Sequence, residues 1–355
     1  MREFWAGKKV LVTGHTGFKG SWLSAWLLEM GAELAGIALE PETNPSLFEQ
    51  LGLANRLSHH IADIRDSGMV AEIIAGFQPE IVMHLAAQPL VIRSYNDPLE
   101  TWSTNVIGTA NVLEGLRKID GKCAAVMVTT DKVYENLEWE FGYRETDRLG
   151  GHDPYSASKA ATELVCSSWR KSFFTETGDI RMATARAGNV IGGGDWAENR
   201  IVPDIARALM KGEEIVVRNP AATRPWQHVL DPLYGYLRLA QALFEPGGSE
   251  VSDSFNFGPN LDAQRPVSDL VEASLSIWPG KAEYGVPNPG AVHEAGRLAL
   301  NIERAAHRLG WRPVWDFNQA VSATMEWYRS ASTGSTEAIG RITSAQIRQF
   351  EDAIS

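Results

Sequence analysis

One stretch constrains the fold more than any other. Lys8-Lys9-Val10-Leu11-Val12-Thr13 is a short apolar run that reads as a buried strand, and it leads straight into Gly14-His15-Thr16-Gly17-Phe18-Lys19-Gly20. Ser21-Trp22-Leu23-Ser24-Ala25-Trp26-Leu27-Leu28 follows with helical composition and stops near Gly31. Loops collect glycine for conformational reasons, so a glycine triplet alone says little. Between a strand and a helix it says more: the glycines permit a tight turn, backbone N–H groups can approach a pyrophosphate, and the helix N-terminus adds positive potential. Gly14, Thr16, Gly17, Phe18, Lys19 and Gly20 are therefore expected to cradle a dinucleotide.

The strands that follow repeat the pattern. Leu34 to Leu39 reads as a second strand, with Glu40 about where an acidic residue would accept the ribose hydroxyls of NAD and repel the 2′-phosphate of NADP; a solvated loop position is the alternative. His59 to Asp66 reads as a third strand running into a polar turn, which puts Asp63 and Ile64 on the adenine side. Ile81 to Ala87 is a fourth strand whose end, Leu85-Ala86-Ala87, is small enough for a flat cofactor to lie against the backbone. Asp97 to Lys118 predicts one long helix carrying Asn105, which faces either the cofactor or solvent. Val126 to Thr130 is a fifth strand. It presents Thr129 and then a hydroxyl, a carboxylate and an ammonium in succession at Thr130, Asp131 and Lys132. Alternating strands and helices predict a Rossmann-like doubly wound parallel sheet, in which ligands bind beyond the carboxyl ends of the strands.

Beyond the fifth strand, Asp153 suits an N-cap and Pro154 a first helical position. Tyr155 and Lys159 then lie one turn apart on one helix face. An ammonium near a phenol favours the phenolate and makes tyrosine a usable base. Y-x-x-x-K is common by chance, but after a dinucleotide turn and five strands it reads as catalytic.

With these motifs the chain resembles the extended short-chain dehydrogenases/reductases, and among them the nucleotide-sugar 4,6-dehydratases. Most of those carry Thr-Asp-Glu after the fifth strand, whereas Thr130-Asp131-Lys132 is similar to the CDP-glucose branch. The turn from Thr13 to Ser21 and Pro45-Ser46-Leu47-Phe48 match as well, and the resemblance runs from about residue 8 to 328. It implies a lyase with bound NAD, which oxidises C4 of the sugar, eliminates water across C5 and C6, and returns the hydride to C6. Asp131 is the implied acid, and Lys132 is the implied base or else only orients Asp131. Gln88, Asn189, Arg200, Arg224, His228 and Arg297 are implied substrate contacts; arginine suits a diphosphate because its planar fork donates two hydrogen bonds. His228 equally suits a packed turn. A 4,6-dehydratase for another nucleotide hexose, a nucleotide-sugar 4-epimerase and a non-catalytic NAD-binding regulator are the rivals; the epimerase has no use for an acid/base pair.

The organisation expected is a cofactor domain over 1–186, a smaller C-terminal substrate-binding lobe over 187–330 with some elements returning to the sheet, and a tail over 331–355. Gly192 to Trp196 reads as a flexible cover over ligand. The tail, after a linker-like stretch, predicts a terminal helix on the surface or at a subunit contact. The helices of 97–118 and 156–174 are those such enzymes commonly pair across a dimer, so a homodimer or a dimer-based oligomer is expected. The net charge of -11 opposes any broad attraction to nucleic acid. Eight scattered histidines without ligand spacing predict no metal. Cys123 and Cys166 read as buried free thiols, no apolar run reaches about 18 residues, and no secretory segment opens the chain, so a cytoplasmic protein without a membrane partner is expected.

Overall fold

The expected strands are all present, and their order fixes where a ligand can sit. The computed structural model describes residues 1–175, 178–198, 200–260, 263–285, 297–332 and 334–354. β1 (Lys9–Thr13), β2 (Glu33–Ala38), β3 (Ser58–Ile61), β4 (Ile81–His84), β5 (Cys123–Val128), β6 (Ile180–Ala187) and β7 (Ser254–Phe257) form one sheet in the order β7-β6-β5-β4-β1-β2-β3. Every pairing in it is parallel. The order reverses between β1 and β4, so a crevice opens beyond their carboxyl ends. β7 comes from late in the chain, so part of the C-terminal half completes the sheet.

Near-continuous apolar strands mean that both sheet faces are covered. Val10, Val12, Ile81, Met83 and Val126 point to one core, with Trp22 and Trp26 of α1 (Phe18–Glu29). Their neighbours Leu11, Val82, Ala125 and Met127 point to the other, with Val112, Leu116 and Cys166. Cys166 lies on α2 (Pro154–Ser172), capped by the Asp153 carboxylate accepting from Ser156 N, with Pro154 in the first turn. α3 (Ile201–Lys211), α4 (Leu230–Phe244), α5 (Phe317–Ala331) and α6 (Thr336–Ala353) complete the set used below. α4 packs on the same side as α1 through Leu233, Leu237 and Ala240.

Two expectations give way. The segment expected as one helix from Asp97 to Lys118 is Pro98–Trp102, a wide π-wound stretch Ser103–Gly108, and Thr109–Leu116. Gly192 to Trp196 is a packed wall instead of a loose cover: a Cβ on Gly193 would lie 1.9 Å from the Trp327 ring, and one on Gly194 would lie 2.8 Å from Leu47. The tail forms the helix α6, exposed along Glu337, Arg341 and Arg348, with Ile339, Ile347 and Phe350 buried against the core and Phe350 edge-on to Trp26 and Trp315. Among the described residues no helix is long and apolar enough to cross a membrane.

Candidate active site

A cleft of about 1360 Å³ runs over the crevice at the strand ends. That exceeds the usual volume of roughly 300–1,000 Å³ for one small-molecule site, and gives room for two ligands. Its floor is the glycine turn. Gly14 has φ +74°, and a Cβ there would lie 2.7 Å from Ala86 N; a Cβ on Gly20 would lie 2.1 Å from Gly14 O. α1 has Gly17 at its N-cap and no side-chain cap, so its first N–H groups stay available to an anion. Thr13 Oγ1 accepts from Leu85 N and Ala86 N, and His84 bridges Thr13 and Thr109. The β1 and β4 ends are thus locked side by side. Burial lowers the His84 imidazole to about 3, so it serves this frame uncharged.

The expected dinucleotide residues largely line this cleft: Gly14, Thr16, Gly17, Phe18, Lys19, Gly20, Glu40, Asp63, Ile64, Leu85, Ala86, Ala87 and Thr129. Thr16 donates to Leu39 O, which ties the turn to the end of β2. Asp63 is held by Arg65, whose Nη2 approaches at 2.6 Å. Asn105 departs from the expectation. Fully buried in the π-wound stretch, it accepts from Gln88 N at 2.8 Å and donates to Gln88 O and Ser158 Oγ. It therefore frames the cleft from behind and does not line it.

The acid/base groups converge. Thr130, Asp131, Lys132, Tyr155 and Lys159 share the wall formed by the β5 end and α2. Thr130 donates to Asp131 at 3.0 Å, and Lys132 Nζ lies 3.4 Å from both Asp131 Oδ1 and Asn189 Oδ1. Gly188 leaves room for this carboxylate, since a Cβ there would lie 2.9 Å from Asp131 Oδ2. Lys159 Nζ donates to Val128 O at 3.2 Å, and burial lowers its ammonium to about 8. Burial raises the Tyr155 phenol. The first influence opposing it is the charge of Lys132, then the hydrogen bond with Thr130.

Cations ring the cleft. Lys19 is lowered to about 8, first by burial and then by the charge of Arg200. Arg200 donates to Asp195 at 2.8 Å, and Arg224 and Asn189 also line the space. Arg218, which sequence reasoning missed, lines it as well; it follows a three-residue strand, too short for a periodic signal. Other expected contacts fall elsewhere. His228 is fully buried beside Trp22 and Trp315, its Nδ1 accepting from Leu230 N, and it lies off the cleft. Arg297 is exposed and off the cleft lining, though its neighbour Leu298 is on it and its carbonyl accepts from Asn136. Gln88 lines the cleft, but its side-chain amide is spent on Leu90 and Thr101.

Another feature had no sequence signal. Glu163 and Arg186 form a buried pair at 2.8 Å, joined by Thr129, Thr184, Ser254 and Tyr134. Burial raises the Glu163 carboxyl, but Arg186 and the hydroxyls outweigh it and leave it below its ordinary value. The pair clamps α2 to the ends of β5, β6 and β7. Among the described residues no group of three or more His, Cys, Asp or Glu could hold a metal ion.

A dinucleotide turn at the switch point, with a buried tyrosine and a lysine one turn on above the fifth strand, defines an extended short-chain dehydrogenase/reductase. Within that class the chain belongs to the family described as GDP-mannose 4,6 dehydratase, which matches residues 11–324. It is 46% identical to the CDP-glucose 4,6-dehydratase of Salmonella typhimurium, over 93% of this chain and 92% of that one. The NAD complex of Thermus thermophilus UDP-glucose 4-epimerase superposes with a TM-score of 0.76 at 26% identity, covering 91% of this chain and 99% of that one. The NAD complex of Bacillus anthracis dTDP-glucose 4,6-dehydratase gives 0.75 at 20% identity, over 94% and 100%, and supports the fold.

Proposed function

We propose that this chain is a hydro-lyase that converts CDP-D-glucose to CDP-4-keto-6-deoxy-D-glucose with NAD. The observation that carries the reading is the convergence of Thr130, Asp131, Lys132 and Tyr155 on one wall of a cleft floored by the glycine turn. An epimerase needs the tyrosine but not the adjacent carboxylate and ammonium. The choice of cytidine rests on the 46% identical relative, supported by the lysine that follows Thr130-Asp131.

The residues present fit NAD. The Gly14/Gly20 floor is a space that side chains would fill, the uncapped start of α1 receives a pyrophosphate, and Glu40 at the β2 end favours a free ribose hydroxyl over a phosphate. Bound on the glycine turn, NAD would supply a reversible hydride acceptor for C4 and hydride donor for C6. Tyr155, as phenolate, removes the C4 hydroxyl proton while Thr130 hydrogen-bonds that oxygen. Lys159 holds the ribose and supports the phenolate. The resulting 4-ketone acidifies the C5 proton, which Lys132 takes while Asp131 protonates the C6 oxygen and water departs. Asn189, Arg200 and Arg224 hold the diphosphate, joined by Arg218.

Cofactor contacts fall mainly in residues 1–186 and substrate contacts mainly in 187–330, with the latter half lending β7 to the sheet and α4 to the core beside it. We further infer a homodimer through the helices of 97–118 and 156–174. Exposed Leu99, Trp102, Ile107 and Leu164 support it; light scattering that finds a monomer at micromolar concentration refutes it. The buried thiols of Cys123 and Cys166 favour a cytoplasmic setting. A turnover assay offering CDP-, dTDP-, UDP- and GDP-hexoses in competition tests the main reading. CDP-glucose should be consumed preferentially, with the rise in ultraviolet absorbance at alkaline pH that marks a 4-keto-6-deoxy sugar. Epimerised product without that rise refutes it.

A further inference from the structure

The part of the cleft wall from Gly192 to Trp196 is held by Trp22, Trp327 and Tyr328, which do not line the cleft themselves. Gly193 O accepts from Trp22 Nε1 at 2.8 Å, and the Trp327 ring occupies the place of a Gly193 side chain. Trp327 in turn donates to Thr343 of α6 at 2.9 Å. Next along α5, fully buried Tyr328 donates its hydroxyl to Asp195 O, with Trp196 packed edge-on at 5.1 Å. The Asp195 carboxylate accepts from Ala197 N through one oxygen and from Arg200 Nη1 through the other. The place of the Arg200 guanidinium is therefore set by a carboxylate whose backbone is set by Tyr328.

We propose that Tyr328 is a positioning residue for Arg200, and that through it the C-terminal helices α5 and α6 set the affinity for the diphosphate of the nucleotide sugar. The proposal rests on the reading that Arg200 holds that diphosphate. Arginine recognises phosphate through a planar fork, which works only when the fork is aimed. Removing one hydroxyl leaves the ring packing in place but frees the Asp195 backbone and, with it, the aim of Arg200.

The test is the kinetics of CDP-D-glucose turnover for Tyr328→Phe, Arg200→Ala and the double variant, with melting temperatures alongside. Loss of one hydrogen bond that positions Arg200 should raise KM about threefold to tenfold in Tyr328→Phe, with kcat held within about twofold. Arg200→Ala should raise KM further, and the double variant should be no worse than Arg200→Ala alone, because both changes remove the same contact. An unchanged KM in Tyr328→Phe, or an effect of the same size on the Arg200→Ala background, overturns the proposal. If Arg200→Ala itself leaves KM unchanged, the assignment of Arg200 to the diphosphate fails, which is a separate result, and the positioning role falls with it. Should Tyr328→Phe not fold, Asp195→Asn cuts the same chain one link later: the same KM rise, absent from the Arg200→Ala background, supports the proposal, and an unchanged KM overturns it.

Discussion

Two arginine–carboxylate pairs with the same 2.8 Å contact flank the cleft, and they do different work. Arg186 and Glu163 are each 3% exposed and clamp α2 to the sheet; Arg200 is 38% exposed beside an Asp195 that is 7% exposed. A fully buried pair is costly to form and costlier to break, whereas a half-exposed one gains little by itself. The buried pair has its polar neighbours on three strands and keeps the Tyr155 and Lys159 helix in register with Thr130. The half-exposed pair leaves part of its guanidinium facing the cleft, available to an anion. Catalytic groups thus sit on rigid elements, and the binding cation sits on a segment fixed from behind.

The sharpest break within the buried wall is Tyr155→Phe. Loss of the general base should lower kcat about a thousandfold with the fold and bound cofactor retained; a loss below tenfold would show that another group takes the C4 proton. Glu163→Gln strands Arg186 in the interior and should cost about 3 kcal/mol of stability, visible as a lower denaturation midpoint. The Asp195→Asn variant should change stability by less than about 1 kcal/mol. Equal losses from the two would erase the distinction between clamp and ligand cation. Lys132→Met should lower turnover about a hundredfold. Solvent deuterium should no longer enter C5, while the absorbance of reduced cofactor still develops. Unchanged deuterium entry would leave Lys132 only the task of orienting Asp131.

The buried wall was legible in the sequence because its signals are local. A strand beside a glycine turn, and Tyr155 and Lys159 one turn apart behind an Asp153-Pro154 cap, need no distant partner to be read. The wall from Gly192 to Trp196 hid because its order is long-range. Gly192-Gly193-Gly194 has loop composition, yet two of these glycines make room for Trp327 and Leu47, which lie far along the chain in either direction. His228 and Gln227 form a two-residue strand, and nothing nearby says that Trp22 and Trp315 enclose the histidine. Asn105 carried the right polarity but the wrong aim, because a π-wound turn rotates a residue off the face that regular spacing assigns it. The Glu163–Arg186 pair joins a helix to a strand, and neither residue stands out in its own segment.

The smallest expected effect separates binding from stability by pH. Burial lowers both Lys19 and Lys159 from an ordinary 10.5 to about 8. In the unfolded chain these amines keep their protons up to their ordinary value, whereas in the ligand-free fold they release them near 8. Between those limits the unfolded state binds more protons, so the contribution of the two lysines to stability rises with pH across that window. Binding runs the other way, because deprotonation removes the charge that attracts the phosphates of either ligand. Affinity for CDP-glucose should fall about threefold to tenfold as pH rises above about 8, the loss expected from weakening one charge-assisted contact. Lys19→Met should flatten that fall, since it removes one of the two titrating charges. It should also raise the melting temperature at neutral pH, since it no longer buries an ammonium beside Arg200, a cost that Asp131 offsets only in part. Calorimetric titration with CDP-glucose across this range, paired with thermal melts of the ligand-free protein, checks both directions together. If affinity and stability move the same way with pH, the cations of the cleft are not what holds the diphosphates.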